Sequence, residues 1–345
     1  MKKTKIVVTG GAGFIGTNLV RALNELGEER IVIVDHLGNN PQKWKNLLGV
    51  KFLDYLDRDD FLSAIQKGQF SEVKAIIHLG ACSDTTVKDL NYLYRVNFLY
   101  TKELALFSLA HGIRFIYASS AATYGDGSLG FSDDHELIPL LKPLNPYGFS
   151  KQLFDLWAYS NGYLDKIVGL KYFNVFGEYE FHKGEMRSVA LKAYEQIKQT
   201  GRVKLFKSYH PDYPDGGQLR DFIYVKDAVS ATLFFLDHPE INGLFNVGTG
   251  KARSFRDLVL AVFSALGLPP QIEYIDMPEK LKNQYQYFTQ ADISKLRKVG
   301  YEKPMTELEE AIKNYVDFLE KNYSFYAYST ELSPFERASV KNVND

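Results

Sequence analysis

A glycine-spaced turn between an apolar run and a helical pattern constrains this chain more than any other feature. Residues 6–8 are Ile-Val-Val, and Thr9-Gly10-Gly11-Ala12-Gly13-Phe14-Ile15-Gly16 follows. The spacing predicts a strand, a tight turn and a helix start. Gly10 permits the turn, Gly13 lets backbone approach a diphosphate, and Gly16 lets the helix lie against the strand. The free amides and positive end of such a helix face an anion. A second apolar run, residues 31–34, ends in Asp35, where a carboxylate can accept a hydrogen bond from a ribose hydroxyl. Strand, helix and acid together read as a dinucleotide cradle.

With 345 residues and 45% hydrophobic content, the chain has material for one large α/β domain and a smaller companion. Its formal net charge of -1 comes from mixed charges, which argues against a nucleic-acid stripe and for small-molecule partners. Cys82 is the only cysteine, so an intrachain disulfide framework and a cysteine metal cluster are excluded and no metal is expected. Residues 1–4 lead into the first strand with no leader-like or membrane-spanning apolar stretch anywhere, so a cytoplasmic location is expected.

In chain order, the first helix should bury Phe14, Ile15, Leu19, Leu23 and Leu26 and close at Gly27. A polar loop from His36 precedes a short strand expected at residues 51–53. The run 75–79 is a buried strand, and Gly80-Ala81-Cys82 is a small-residue turn that can approach a ribose or nicotinamide. His78 and Cys82 read as structural. Residues 90–110 form a crossover helix holding Asn97, and residues 115–119 a strand that delivers Ser120 to the carboxyl edge of the sheet, where ligands sit. Asn145-Pro146 then starts a helix, as cap and first helical residue.

These elements predict a doubly wound parallel sheet with a smaller C-terminal domain. The first domain takes residues 1–177 and 221–248, the second 178–220 and 249–321, with helices at 189–198, 255–266 and 308–319. Residues 322–345 are weakly patterned and read as a tail or packing arm.

The chemistry centres on Tyr147 and Lys151, four apart and therefore on one helix face. An ammonium beside a phenol favours the phenolate, so Tyr147 is expected to be lowered from its usual value and to accept a proton, with Ser120 holding the substrate oxygen.

Through residues 9–16, Ser120 to Gly125, Tyr147-Gly148-Phe149-Ser150-Lys151 and the run 220–225, the chain resembles the extended short-chain dehydrogenase/reductases acting on nucleotide sugars. Within them it is more closely similar to the ADP-glyceromanno-heptose 6-epimerases, through residues 78–86 and 117–125, His182-Lys183-Gly184, Lys280-Leu281-Lys282 and residues 285–292. The likeness runs from the first strand to about residue 319.

That family inverts C6 of an ADP-linked heptose for lipopolysaccharide core synthesis. One proton acceptor cannot serve both faces of a 6-ketone, and the resemblance assigns the two roles to Tyr147 and Lys183. It also implies cofactor contacts at Leu79, Ser83, Asn97 and Val175, beside those of the glycine turn and residues 80–82. Asn174, Arg220 and Tyr285 would touch the substrate, with Phe206, Lys207 and Ser208 near it. Glu185 and Lys192 stand where the family commonly has Ser and His, and residues 209–217 form a longer stretch than usual.

Asp35 alone suggests NAD. Lys43 and Arg58 lie at basic positions the family uses for a 2'-phosphate, and His36 stands where the family frequently has asparagine, so NADP is the expected cofactor with NAD as the alternative. The family implies a homo-oligomer, a pentamer. Three other readings compete. A sugar 4,6-dehydratase needs an acid beside Ser120, where Ala121 and Ala122 stand; a UDP-hexose 4-epimerase needs one base and offers no role for Lys183. The third, a catalytically silent cofactor-sensing protein, has no use for Ser120, Tyr147 and Lys151.

Overall fold

The computed structural model describes residues 5–279 and 285–327. Its first six strands are β1 (Ile6–Thr9), β2 (Ile31–Asp35), β3 (Asp54–Asp57), β4 (Ala75–His78), β5 (Arg114–Ser120) and β6 (Val168–Tyr172). The next six are β7 (Asn174–Phe176), β8 (Val203–Phe206), β9 (Leu219–Tyr224), β10 (Gly243–Val247), β11 (Ala252–Ser254) and β12 (Ile272–Ile275). Seven of them make one parallel sheet in the order β10-β6-β5-β4-β1-β2-β3. The doubly wound sheet expected from the sequence is present.

The flanking helices are α1 (Phe14–Glu25), α2 (Arg58–Gln66), α3 (Leu90–Leu93), α4 (Tyr100–His111) and α5 (Pro146–Ser160). Further along come α6 (Val189–Thr200), α7 (Val225–Asp237), α8 (Phe255–Ala265), α9 (Ser294–Lys298) and α10 (Leu308–Ala327). Side chains alternate across each strand, so Ile6 and Val8 meet Leu19 of α1 and Phe235 of α7, while Val7 meets Phe61, Leu104 and Phe154 of α2, α4 and α5. Both faces are covered, which is why the strands read as unbroken apolar runs. A separate core joins α6, α8 and α10 through Leu191, Val262 and Ile312. Two small sheets, β11-β9-β7 and β12-β8, lie beside it in the chain's second half.

Winding reverses at β1, which pairs with β2 on one side and β4 on the other, Thr9 standing opposite both Val34 and His78. A ligand crevice opens at such a switch point. His78 is structural, as expected: its ring bonds Thr9 Oγ1 at 2.5 Å and Thr101 Oγ1 at 2.8 Å, and burial pushes it down to about 3. Asn145 caps α5 through the Gly148 amide at 2.8 Å.

Four expectations are corrected. Leu26 is 70% exposed, because α1 ends at Glu25 and Gly27, at φ +82, turns the chain before Leu26 can reach the sheet. The strand expected at residues 51–53 is β3 instead; an edge strand half open to water carries Asp54 and Asp57, which hid it. The crossover helix is interrupted by a π turn at Tyr94–Leu99, which carries Asn97. The last helix runs past residue 319 to Ala327, so the first residues of the expected tail are helical, with Tyr323 and Tyr326 packed on Phe181. Residues 328–345 and Lys280-Leu281-Lys282 lie outside the described residues.

Candidate active site

The glycine turn is built as its spacing predicts. Gly10 sits at φ +70, and a Cβ on it would stand 2.6 Å from the Gly80 amide; a Cβ on Gly16 would stand 2.0 Å from the Gly10 carbonyl. Gly13 caps α1 without a side chain, and no acidic residue occupies the first turn. The first-turn amides are therefore left for an anion, which fits the diphosphate of a dinucleotide.

A crevice of about 280 Å³ opens beside this turn. Gly10, Gly13, Phe14, Ile15 and Gly16 line it, as do Leu79, Gly80, Ala81 and Ser83 after β4. A smaller hollow continues it past Asp35 and Lys43 to His36, Arg58 and Cys82. Asp35 accepts from the Ala12 amide at 2.8 Å and from Lys43 Nζ at 2.5 Å, while Lys43 also donates to the His36 carbonyl at 2.9 Å. His36 meets Asp57 at 3.0 Å, and Arg58 meets Asp59 at 3.2 Å.

Asn97 is not among the lining residues. Its amide bonds the Cys82 backbone in both directions, at 2.8 and 2.9 Å, and reaches Ser150 Oγ at 2.9 Å, so it shapes the turn beneath the crevice.

Tyr147, Lys151, Ser120, Val175 and Lys183 meet on the crevice's other side. Helix α5 presents Tyr147 and Lys151 on one face, and Lys151 Nζ donates to the Ala118 carbonyl at 3.0 Å. Burial lowers Lys151 to about 8, with Asp155 opposing. The expected lowering of Tyr147 is not found: burial raises it, and the hydrogen bond with Ser120 only opposes that rise. The ammonium points to Ala118 instead of cancelling the cost of burying a phenolate.

Lys183 sits on a 3₁₀ turn, Phe181–Met186, 4.9 Å over the Phe14 ring and 4.0 Å from Glu180 Oε2. Burial lowers it, the Glu180 charge resists, and Lys192 lowers it further.

The remaining substrate candidates lie outside this lining. Asn174 is exposed at the start of β7. Arg220 is 9% exposed, donates to the Leu219 carbonyl at 2.8 Å and lies 5.4 Å from the rings of both Phe255 and Tyr285. Glu185 and Lys192 bond each other at 3.3 Å, and Lys207 meets Asp276 at 3.2 Å. The Phe206 carbonyl accepts from Gly216 at 3.1 Å, and the Ser208 amide donates to Asp215 at 2.7 Å.

The sequence reading missed five lining residues: Ala118, Ser119, Tyr172, Phe173 and His182. The first four end or follow β5 and β6, so the carboxyl-edge rule that found Ser120 reaches them too. His182 adjoins Lys183, and burial pushes it down to about 3 with Lys43 and Lys183 beside it.

An uncapped glycine turn at the switch point, facing a tyrosine-lysine pair, defines an enzyme of the Rossmann class that works with a nicotinamide dinucleotide. Comparison with known proteins narrows the class. The chain belongs to the NAD dependent epimerase/dehydratase family, whose sequence profile matches residues 6–248, and within it to the group of the ADP-L-glycero-D-manno-heptose-6-epimerases. It is 56% identical over 311 residues to the protein of that name from Nitratidesulfovibrio vulgaris, covering 90% of this chain and 96% of that one. The Fusobacterium nucleatum counterpart is 47% identical over 331 residues, covering 93% and 99%. The crystal structure of the Helicobacter pylori enzyme superposes with a TM-score of 0.78 at 30% identity, covering 92% and 96%. Among the described residues no helix is long and apolar enough to cross a membrane.

Proposed function

We propose that this chain inverts C6 of ADP-D-glycero-D-manno-heptose to give ADP-L-glycero-D-manno-heptose, as its relatives are named for doing. The observation that carries the reading is Lys183 in the same crevice as Tyr147. A bound nicotinamide supplies oxidation of C6 to a ketone and its reversal. The protein's own residues hold the sugar and move the hydroxyl proton. Ser120 positions the oxygen, and Tyr147 and Lys183 serve its two orientations. Burial shifts that pair in opposite directions, keeping Tyr147 protonated and bringing Lys183 toward giving up its proton, which divides acid from base. A 4-epimerase needs only one of them.

In this reading Arg220 holds the substrate diphosphate by paired hydrogen bonds, with Asn174 and Tyr285 toward the sugar. NADP is favoured over NAD because Lys43 pairs with Asp35, cancelling the charge that would repel a 2'-phosphate, while Arg58 lines the same hollow. Residues 1–177 with 221–248 form the cofactor domain in this reading, and 178–220 with 249–321 the substrate domain. A cytoplasmic homo-oligomer supplying heptose for a lipopolysaccharide core fits the same reading.

Incubation with ADP-D-glycero-D-manno-heptose, followed by proton NMR at C6 and by nicotinamide absorbance, tests the function. Inversion without net cofactor reduction is expected. Turnover of a UDP-hexose with the heptose untouched would replace this reading with the 4-epimerase.

A further inference from the structure

We propose that Asp155 is a positioning residue for the reaction: from beneath the crevice it keeps Lys151 charged and fixes the edge of β5 on which Lys151 and Ser120 act. The proposal rests on the reading of Lys151 as the charged partner of Tyr147.

Asp155 follows Lys151 by four residues and Tyr147 by eight, so all three share a face of α5. Its carboxylate is 0% exposed and collects three donors: Tyr117 OH at 2.9 Å, Ser119 Oγ at 2.6 Å and Lys171 Nζ at 3.2 Å. Lys171 is 1% exposed, donates to Thr123 Oγ1 at 2.6 Å and lies 4.6 Å from the Tyr124 ring. Two buried lysines therefore look to one buried carboxylate. Such a cluster is a poor source of stability, because desolvating the charges offsets their attraction, so its presence calls for another reason.

The neighbours supply one. Ser119, which donates to Asp155, stands on the crevice wall beside Ser120, and Ala118 on the same strand receives the Lys151 ammonium. Asp155 thus reaches the site through the β5 backbone and through its field on Lys151. Lys151 also faces Tyr147 on its own helix, Cys82 and His78 from the β4 side, the Ala118 carbonyl and Ser120 from β5, and Lys183 across the crevice. Burial lowers Lys151, and Asp155 is the carboxylate whose charge opposes that fall. Glu180 stands behind Lys183 in the same way, as a buried acid at its back.

A merely structural Asp155 would exist to neutralise Lys171, and the two roles separate by mutation. Asp155→Asn alone leaves Lys171 buried without its anion and is expected to fold poorly, so the deciding variant is Asp155→Asn with Lys171→Met. The measurements are the pH profile of kcat on ADP-D-glycero-D-manno-heptose and the nitrogen-15 NMR titration of Lys151 in the ligand-free protein. In the parent chain the Lys151 titration is expected near 8, with the alkaline limb beside it. In the double variant both should move at least one pH unit lower, which is a tenfold loss of kcat at fixed alkaline pH. Lys171→Met alone should leave the limb in place, and Asp155→Glu should restore it. A double variant that titrates like the parent, or loses activity equally at every pH, overturns the proposal. If the parent chain does not turn over the heptose, the proposed function falls, while the Lys151 titration still tests this inference by itself.

Discussion

On the cofactor side of the crevice the contacts come from short segments after β1, β2 and β4, and much of the surface is backbone. The proposed substrate residues are side chains on β7, β9, the Lys183 turn and the segment at Tyr285, from distant parts of the chain, and Asn174, Arg220 and Tyr285 lie outside the crevice lining. The first kind of site is coded locally, since a glycine spacing dictates its shape. The second depends on how separate elements pack, and some of its residues pair with near neighbours, as Glu185 with Lys192 and Lys207 with Asp276 do. Arg220 is the exception: buried between two rings, it donates from its guanidinium to the Leu219 backbone carbonyl.

Mutation can sharpen that contrast. The largest effects belong where the two sides meet: Tyr147→Phe and Lys183→Met should each lower epimerisation by roughly 10² to 10⁴. Cofactor affinity, followed by fluorescence titration, should stay near that of the parent chain. Near-normal turnover in Lys183→Met would remove the two-base scheme.

A smaller loss is expected from Arg220→Met, which removes a buried cation and should weaken substrate binding by about 1.5–3 kcal/mol, raising KM roughly 10- to 150-fold without weakening the cofactor. Equal weakening of both ligands would erase the distinction between the two sides.

The smallest effect concerns the wall under the cofactor. His78 is held neutral down to about 3 in the fold and takes a proton near 6.5 when unfolded. The unfolded chain therefore binds more protons between those values, and stability falls as pH drops through that window, by roughly 2 kcal/mol at pH 5. Urea unfolding at pH 7 and pH 5 measures it; a His78→Asn variant should lose about half of the dependence, because His182, also pushed down to about 3 by burial, contributes a similar share. A parent chain with equal stability at both pH values would show that His78 is not buried as described.

The same contrast explains what could be read in advance. Gly10, Gly13, Gly16 and Asp35 were legible because each has a steric or electrostatic task set by its near neighbours. Tyr147 with Lys151 was legible from helical spacing, yet the direction of the Tyr147 shift was not, because burial depends on β5, β6 and the loop after β4 closing around it. Strand β3 was misplaced by three residues because its exposed edge carries acids that read as loop. Asp155 gave no signal at all. An aspartate in a helix reads as a solvated charge until Tyr117, Ser119 and Lys171 are seen to converge on it.

The central claim is that C6 is oxidised and then reduced again by the same hydrogen, with Tyr147 and Lys183 attending the two faces. Placing deuterium at C6 of ADP-D-glycero-D-manno-heptose and following the product by NMR and mass measurement tests it most directly. The account predicts an inverted product that keeps the deuterium in ordinary water. Loss of the label to solvent during turnover would contradict it, since C6 would then be inverted by deprotonation.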